Sequence, residues 1–254
     1  MESIKYTILK IFIHSEYWKG FDMRLKEIKI LSLTFMIFVL IISISTTSYA
    51  KDGEEVFIKN GSREKKLIAL TFDDGPHPKE TDKVLDVLNK YNIKATFFIA
   101  GKHAKWYTNP LIRASKEGHE IGNHTFNHPD ISNLSLSQIE EEIVKCEDTL
   151  VEITGKKPTL FRPPYGSYKR SDLEEVAKKH DYKIILWTTI DARDWENPPA
   201  STIASTIIDK AKNGDIILLH DYATNNTVEA LDRIIPAMQK RGFQFVTVSE
   251  LLEQ

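Results

Sequence analysis

From Leu67 to the end of the chain, short apolar runs alternate with segments whose apolar residues recur every three to four positions. Ala95-Thr96-Phe97-Phe98-Ile99, Ile184-Ile185-Leu186-Trp187 and Ile216-Ile217-Leu218-Leu219 are almost continuously apolar. Such runs suit strands buried on both faces, as in a parallel sheet. Seven strands are predicted, at residues 67–72, 95–100, 119–123, 159–162, 182–189, 215–220 and 243–248. Between them the spacing predicts amphipathic helices. Val84, Val87, Leu88 and Tyr91 share one face, and Ser137-x-x-Glu140 and Ser171-x-x-Glu174 read as capping boxes that start two others. Strict strand–helix alternation calls for a parallel barrel. With seven units in place of eight, the expected fold is α/β, a distorted, open (β/α)7 barrel with a groove on one side.

In parallel barrels the chemistry sits at the carboxyl ends of the strands, and the polar clusters of this chain fall there. Asp73-Asp74-Gly75 follows the first strand and His124-Thr125-Phe126-Asn127-His128 the third. Arg162-Pro163-Pro164-Tyr165-Gly166 follows the fourth, Asp191-Ala192-Arg193-Asp194-Trp195 the fifth, and His220-Asp221 the sixth. Adjacent carboxylates repel unless a cation or a proton lies between them. Histidines four residues apart on a helical turn share one face, the spacing at which two imidazoles grip one metal ion. One aspartate with two histidines makes an N/N/O set that leaves positions open for water and substrate. The second aspartate is then a base beside it. Taken singly, Asp-Asp-Gly is a surface turn and the histidines are a polar loop; their placement on one rim favours a divalent metal. With imidazole and carboxylate donors and no thiolate, Zn²⁺ is the expected ion, and Co²⁺ or Ni²⁺ the expected substitutes.

The ordered set Thr71-Phe72-Asp73-Asp74-Gly75, His124-x-x-x-His128, Arg162-Pro163-Pro164-Tyr165-Gly166, Asp194-Trp195 and Leu218-x-His220 resembles the polysaccharide deacetylase family. That family is also called carbohydrate esterase family four, or the NodB-homology domain. The resemblance runs from about Leu67 to Leu252 and implies metal-dependent removal of acetyl groups from N-acetylated sugars in a polymer. Asp74, His124 and His128 would hold the ion. Asp73 would take a proton from the attacking water, with Arg162 orienting it. His220 would protonate the leaving nitrogen, because an amine leaves poorly until it is protonated, and Asp194 would hold that histidine cationic. Pro163 and Pro164 would stiffen the turn that presents the Tyr165 N–H to a developing oxyanion. Trp195 and Leu218 would wall the pocket for the acetyl methyl. His14, His103, His119 and His180 are read as bystanders, and His77 as a loop residue near the site that is not a ligand. The expected substrate is N-acetylglucosamine in peptidoglycan. The enzymatic rival is the same chemistry on chitin oligomers or O-acetylxylan. The rival of another class is a catalytically silent glycan-binding module, disfavoured because Asp73 and the three ligands are all in place.

Composition changes this picture little. The chain has 254 residues, 41% of them hydrophobic, and a net charge of −2, which suits one sizeable domain and an expected monomer. No basic stripe with interleaved aromatics is present, which argues against a nucleic-acid partner. Cys146, the single cysteine, falls in step with Ile139, Ile143, Leu150 and Ile153, so it reads as a core hydrophobe that cannot form an intrachain disulfide. Near the start, Met23 to Lys29 is a charged n-region, Ile30 to Ile44 is apolar, and Ser48-Tyr49-Ala50 offers small residues to a signal peptidase. Residues 23–50 are therefore read as a signal peptide cleaved after Ala50, in preference to a retained anchor, since a membrane span needs ~20 apolar residues. Membrane contact would come only through that segment. Residues 1–22 are read as an extension ahead of the functional start, 51–66 as a linker, and 67–254 as the catalytic domain.

Overall fold

Alternation along the buried strands sorts side chains into two sets, and this sorting builds the molecule. The computed structural model describes residues 56–188, 190–222 and 225–254; residues 1–22 and the signal-peptide segment 23–50 lie outside them. Among the described residues there are eight strands: β1 (Phe57–Ile58), β2 (Leu67–Asp73), β3 (Thr96–Ile99), β4 (Glu120–Asn123), β5 (Leu160–Phe161), β6 (Lys183–Ile185), β7 (Asp215–His220) and β8 (Gln244–Phe245). They form one parallel sheet in the order β1-β6-β5-β4-β3-β2-β7, with β8 pairing the start of β2. The helices are α1 (Glu80–Lys90), α2 (Gly101–Trp106), α3 (Thr108–Lys116), α4 (Leu136–Thr154), α5 (Arg170–His180), α6 (Ala200–Lys210), α7 (Asn225–Lys240) and α8 (Val248–Leu252).

On β2, Ile68, Leu70 and Phe72 pack in the main core with α1 residues Val84, Leu85 and Leu88. The alternate residues Leu67 and Ala69 join Phe98, Leu160, Ile185 and Ile216 in a second cluster, which Val248 and Leu251 of α8 close. This second cluster is the apolar floor of the barrel. Above it the same inward rows turn polar: Thr71 and Asp73 continue Leu67 and Ala69, Arg162 continues Leu160, and His220 continues Ile216 and Leu218. The period of two thus delivers three of the sequence-predicted site residues to one interior.

The barrel stays open between β6 and β7. The chain beyond β6 changes partners: Leu186 N–H bonds Ile58 O at 2.7 Å, whereas Thr188 N–H bonds Ile216 O at 3.1 Å. A bridge from Asp191 to Leu218 then joins it to β7. This crossing ends regular pairing at Ile185, earlier than the predicted residue 189. The segment read as a linker fills part of the gap. Phe57 is buried against Leu173, Val176 and Tyr182, and Asn60 bridges Asp215. Two residues are too few to show a period, so β1 leaves no pattern signal. Gly214, at φ 75°, lies so close to the backbone of Gly61 and Ser62 that no Cβ would fit.

Helix starts also differ from expectation. The capping box of α4 is Ser135 with Gln138, not Ser137 with Glu140. At α5 the N-cap is Lys169, without a side-chain cap, and Ser171 lies inside the helix. Cys146 is buried in α4, its Sγ 3.4 Å from Ile99 O, and burial pushes the thiol up to about 12.

Candidate active site

Arg162 is fully buried, and a lone guanidinium there would be prohibitively costly. It is satisfied on every side. Nη1 donates to Asp73 Oδ1 at 2.7 Å and to Thr71 Oγ1 at 2.8 Å. Nε and Nη2 donate to Ile185 O and Leu186 O at 3.2 and 3.3 Å, and the guanidinium carbon lies 4.1 Å from the Phe98 ring centre. The ion pair fixes Asp73 at the end of β2. Asp73 is also the register partner of His220 on β7, so a carboxylate and an imidazole stand on adjacent strand ends.

His220 is held from behind. Its Nδ1 lies 2.8 Å from Asp194 Oδ1, and its backbone N–H donates to Asp194 Oδ2 at 2.8 Å. The buried hydroxyl of Thr227 on α7 donates to the same Oδ2 at 2.7 Å. Burial opposes the positive charge on His220, but the hydrogen bond and charge of Asp194 outweigh it, with Asp73 and Asp74 adding. The imidazole is pushed up to about 9.

Asp74, His124 and His128 bring three donor atoms within 4.8 Å of one another. Nε2 of His128 is 3.0 Å and Nε2 of His124 3.5 Å from Asp74 Oδ1. The opposite ring nitrogens are engaged: His124 Nδ1 with Arg162 O at 2.7 Å, and His128 Nδ1 with the Tyr165 hydroxyl at 3.1 Å. Donation from Nδ1 leaves an Nε2 lone pair aimed at a carboxylate oxygen, an arrangement that a cation between them satisfies. The donor set therefore fits a divalent metal. Burial works against ionisation of Asp74, but both histidines outweigh it and hold the carboxyl well below the usual range. Asp73 Oδ2 lies 3.8 Å from His124 Nε2, beside this cluster and committed to Arg162.

The two histidines do not share a helical turn. Residues 124–128 form an irregular loop in which Thr125 and His128 take φ of 64° and 60°. Asn123 Oδ1 accepts the Thr125 N–H at 2.9 Å, Thr125 Oγ1 accepts the His128 N–H at 3.1 Å, and Glu142 accepts the N–H groups of Phe126 and Asn127. These bonds hold a turn that the i, i+4 spacing alone misreads. Asp74, Tyr165, Arg193 and Asn197 also have positive φ; among the described residues the other two such non-glycine residues, Asn92 and Asp181, follow helix ends. Backbone strain is thus concentrated around one rim, as at functional sites.

Tyr165 is 69% exposed and Trp195 54%, while Leu218 lies mostly buried below His220. Asp221, fully buried, accepts the Thr81 hydroxyl at 2.5 Å, and its Oδ1 has no partner among the described residues. Burial, reinforced by the charges of Asp74 and Asp73, pushes its carboxyl up to about 7. His77, expected as a loop residue near the site, and His103, read as a bystander, both sit near the centre: His103 Nδ1 is 2.6 Å from Asp74 O, and both rings contact Tyr222. Asn123, Glu142 and Thr227 are absent from the sequence reading because no local motif announces them, and Thr71, though it opens a motif, is given no role there.

The family model described as polysaccharide deacetylase matches residues 60–185. The peptidoglycan-N-acetylglucosamine deacetylase of Bacillus cereus is 45% identical over 192 residues, 74% of this chain and 88% of that protein. The peptidoglycan-N-acetylmuramic acid deacetylase PdaC of Bacillus subtilis is 41% identical over 189 residues, 74% of this chain but 39% of that longer protein. In structure, the Bc1960 peptidoglycan N-acetylglucosamine deacetylase superposes with a TM-score of 0.76 at 34% identity, covering 79% of this chain and 94% of that one. The chain belongs to the polysaccharide deacetylase family, a class of hydrolases, and it has that family's distorted, open (β/α)7 barrel.

Proposed function

We propose that this enzyme hydrolyses the acetamide of N-acetylated amino sugars in peptidoglycan, N-acetylglucosamine foremost, releasing acetate and leaving a free amine. The observation that carries this reading is the pairing across β2 and β7: Asp73 ion-paired to buried Arg162, and His220 held cationic by Asp194. A base and an acid on adjacent strand ends are what amide hydrolysis requires. The named relatives act on peptidoglycan, which favours that glycan over chitin or acetylxylan.

Asp74, His124 and His128 would hold one divalent ion, Zn²⁺ by donor chemistry. When bound, it polarises the acetyl carbonyl and lowers the pKa of a bound water toward ~7. Asp73 accepts the proton of the attacking water, with Arg162 keeping its carboxylate aimed inward. The Tyr165 N–H, on its proline-stiffened turn, donates to the carbonyl oxygen as negative charge develops there. Trp195 and Leu218 receive the acetyl methyl. His220 delivers its proton to the nitrogen, and the C–N bond breaks with an amine as the leaving group.

Residues 23–50 carry the basic, apolar and small-residue order of an export signal, so the enzyme is read as exported and beginning at Lys51. Among the described residues no helix is long and apolar enough to cross a membrane. N-terminal sequencing of secreted protein should return Lys51; a species retaining residues 30–50 in the membrane would overturn cleavage. The activity is tested by measuring acetate release from peptidoglycan, chitin oligomers and acetylxylan side by side. Peptidoglycan should be the best substrate. Release from acetylxylan alone would assign O-acetyl ester hydrolysis, and none from any metal-supplemented reaction would assign a silent binding module.

A further inference from the structure

Exposed aromatic surface is costly in water, so its location carries information. Among the described residues the exposed aromatic side chains are Trp106, Tyr165 and Trp195. Tyr165 and Trp195 adjoin the centre by sequence. Trp106, 55% exposed, reaches it through space. Its helix, α2, hangs on the metal-ligand loop by two backbone bonds, Gly101 N–H to Thr125 O at 3.0 Å and Lys102 N–H to Phe126 O at 2.9 Å. One turn before Trp106, His103 has its ring 5.6 Å from the indole, centre to centre, and its Nδ1 2.6 Å from Asp74 O. In the sheet order, Trp195 follows β6 while α2 follows β3, so the two tryptophans flank the β7–β2 pair that bears His220 and Asp73.

The Trp106 side is also cationic. Lys102 Nζ lies 4.8 Å from the Trp106 ring centre, and Lys105 and Lys145 lie 5.5 and 4.2 Å from that of Phe126 in the ligand loop. No ion pair to any of these lysines is found among the described residues. Glu142, the carboxylate that holds the ligand loop, is taken up by the N–H groups of Phe126 and Asn127 and the Asn127 amide. Lys102 lies against the exposed Trp106 ring, while Lys105 and Lys145 lie against Phe126 of the adjoining ligand loop, a ring that is itself buried. Unpaired ammonium groups attract an anion, and the exposed flat ring accepts the C–H face of a sugar.

We propose that Trp106 with Lys102, Lys105 and Lys145 is a second subsite, which takes a neighbouring muramyl residue of the same strand and recognises the carboxylates of its stem peptide. This rests on the peptidoglycan reading and names the feature that would separate peptidoglycan from neutral chitin. Its continuity with the centre, through α2 and the ligand loop, argues for another sugar of the substrate as the occupant.

The test compares wild type, Trp106→Ala, Trp106→Phe and a Lys102→Gln/Lys105→Gln/Lys145→Gln variant on chitotetraose and on a muropeptide tetrasaccharide. The triple variant should raise KM on the muropeptide by about 5–10-fold with kcat unchanged, leave chitotetraose unaffected, and lose the difference at ~1 M salt. Trp106→Ala should raise KM on both by about 10-fold, and Trp106→Phe should restore most of it. A triple variant equal to wild type on the muropeptide, or shifted equally on both substrates, overturns the anionic assignment. Unchanged KM in Trp106→Ala overturns the platform. Calorimetric binding of the muropeptide to the same variants tests the subsite without turnover, so absent acetate release would count against the activity alone.

Discussion

The strand-borne and loop-borne halves of the site are built by opposite means. Asp73, Arg162 and His220 end inward rows that begin in the apolar floor, and strand alternation aims them. Asp74, His128 and Tyr165 stand on loops at φ of 76°, 60° and 59° and are half-buried or exposed. Proton transfer needs groups held where water does not compete, and the sheet interior supplies that. Binding an ion and a polymer needs side chains that face an open groove, in directions a strand cannot give. The loops reach those directions through left-handed backbone, offset by the bonds from Asn123, Thr125 and Glu142.

The largest effect should come from the strand half. Asp73→Asn removes the proposed base but keeps a group that can accept from Arg162, so kcat should fall by ~10²–10⁴ with KM little changed. Activity near wild type would place the base elsewhere. Next is Arg162→Met, which strands a buried Asp73 and should cost ~3–5 kcal/mol of stability by urea denaturation. His128→Ala, on the loop half, should cost under ~1 kcal/mol in metal-free protein while abolishing metal binding. Equal stability losses for the two would erase the contrast between the halves.

A smaller effect separates Asp194 from the rest. As the proposed acid, His220 should support activity while its imidazole is protonated, and activity should fall as pH rises through about 9. Removing the Asp194 charge lowers that value. In Asp194→Asn the alkaline limb of the kcat profile should therefore move toward ~6.5, the ordinary histidine value. A limb that does not move would detach His220 from Asp194.

What was legible in the sequence divides along the same line. The rows of β2 and β7 are apolar runs buried on both faces, and the period of two fixes where Asp73 and His220 point, while Arg162 follows the two-residue strand β5 and was legible from the Arg-Pro-Pro-Tyr-Gly motif it opens. The loops have no comparable rule. Helical spacing put His124 and His128 on one face, yet their rings converge, 4.9 Å between centres, because Asn123 and the distant Glu142 turn the chain. Thr71 is 91 residues from its partner Arg162, and Thr227 is 33 from Asp194. A contact across such separations leaves no mark in a local pattern. Trp106 escaped notice because an exposed tryptophan on a short helix resembles any surface residue until the fold brings α2 to the ligand loop.

The smallest expected effect tests how far the loop half depends on its neighbours. The Tyr165 hydroxyl is the one described partner of His128 Nδ1, at 3.1 Å, whereas His124 is fixed by a buried carbonyl at 2.7 Å. Hydrogen bonds behind a ligand set its ring orientation and basicity, and losing one weakens metal affinity by ~10–100-fold. Tyr165 is exposed, so water can replace its hydroxyl, and Tyr165→Phe should fall at ~10-fold or below. The phenyl ring keeps the edge contact with His128, 4.6 Å between centres, and the backbone N–H is untouched, so kcat at saturating metal should stay within about twofold of wild type. Titrating metal-free Tyr165→Phe with Zn²⁺ measures the affinity, and acetate release at saturation measures kcat. Weaker affinity with kcat preserved would show that the hydroxyl serves the ion and the N–H serves the reaction. A loss of kcat that excess metal does not restore would give the hydroxyl a direct part in binding substrate.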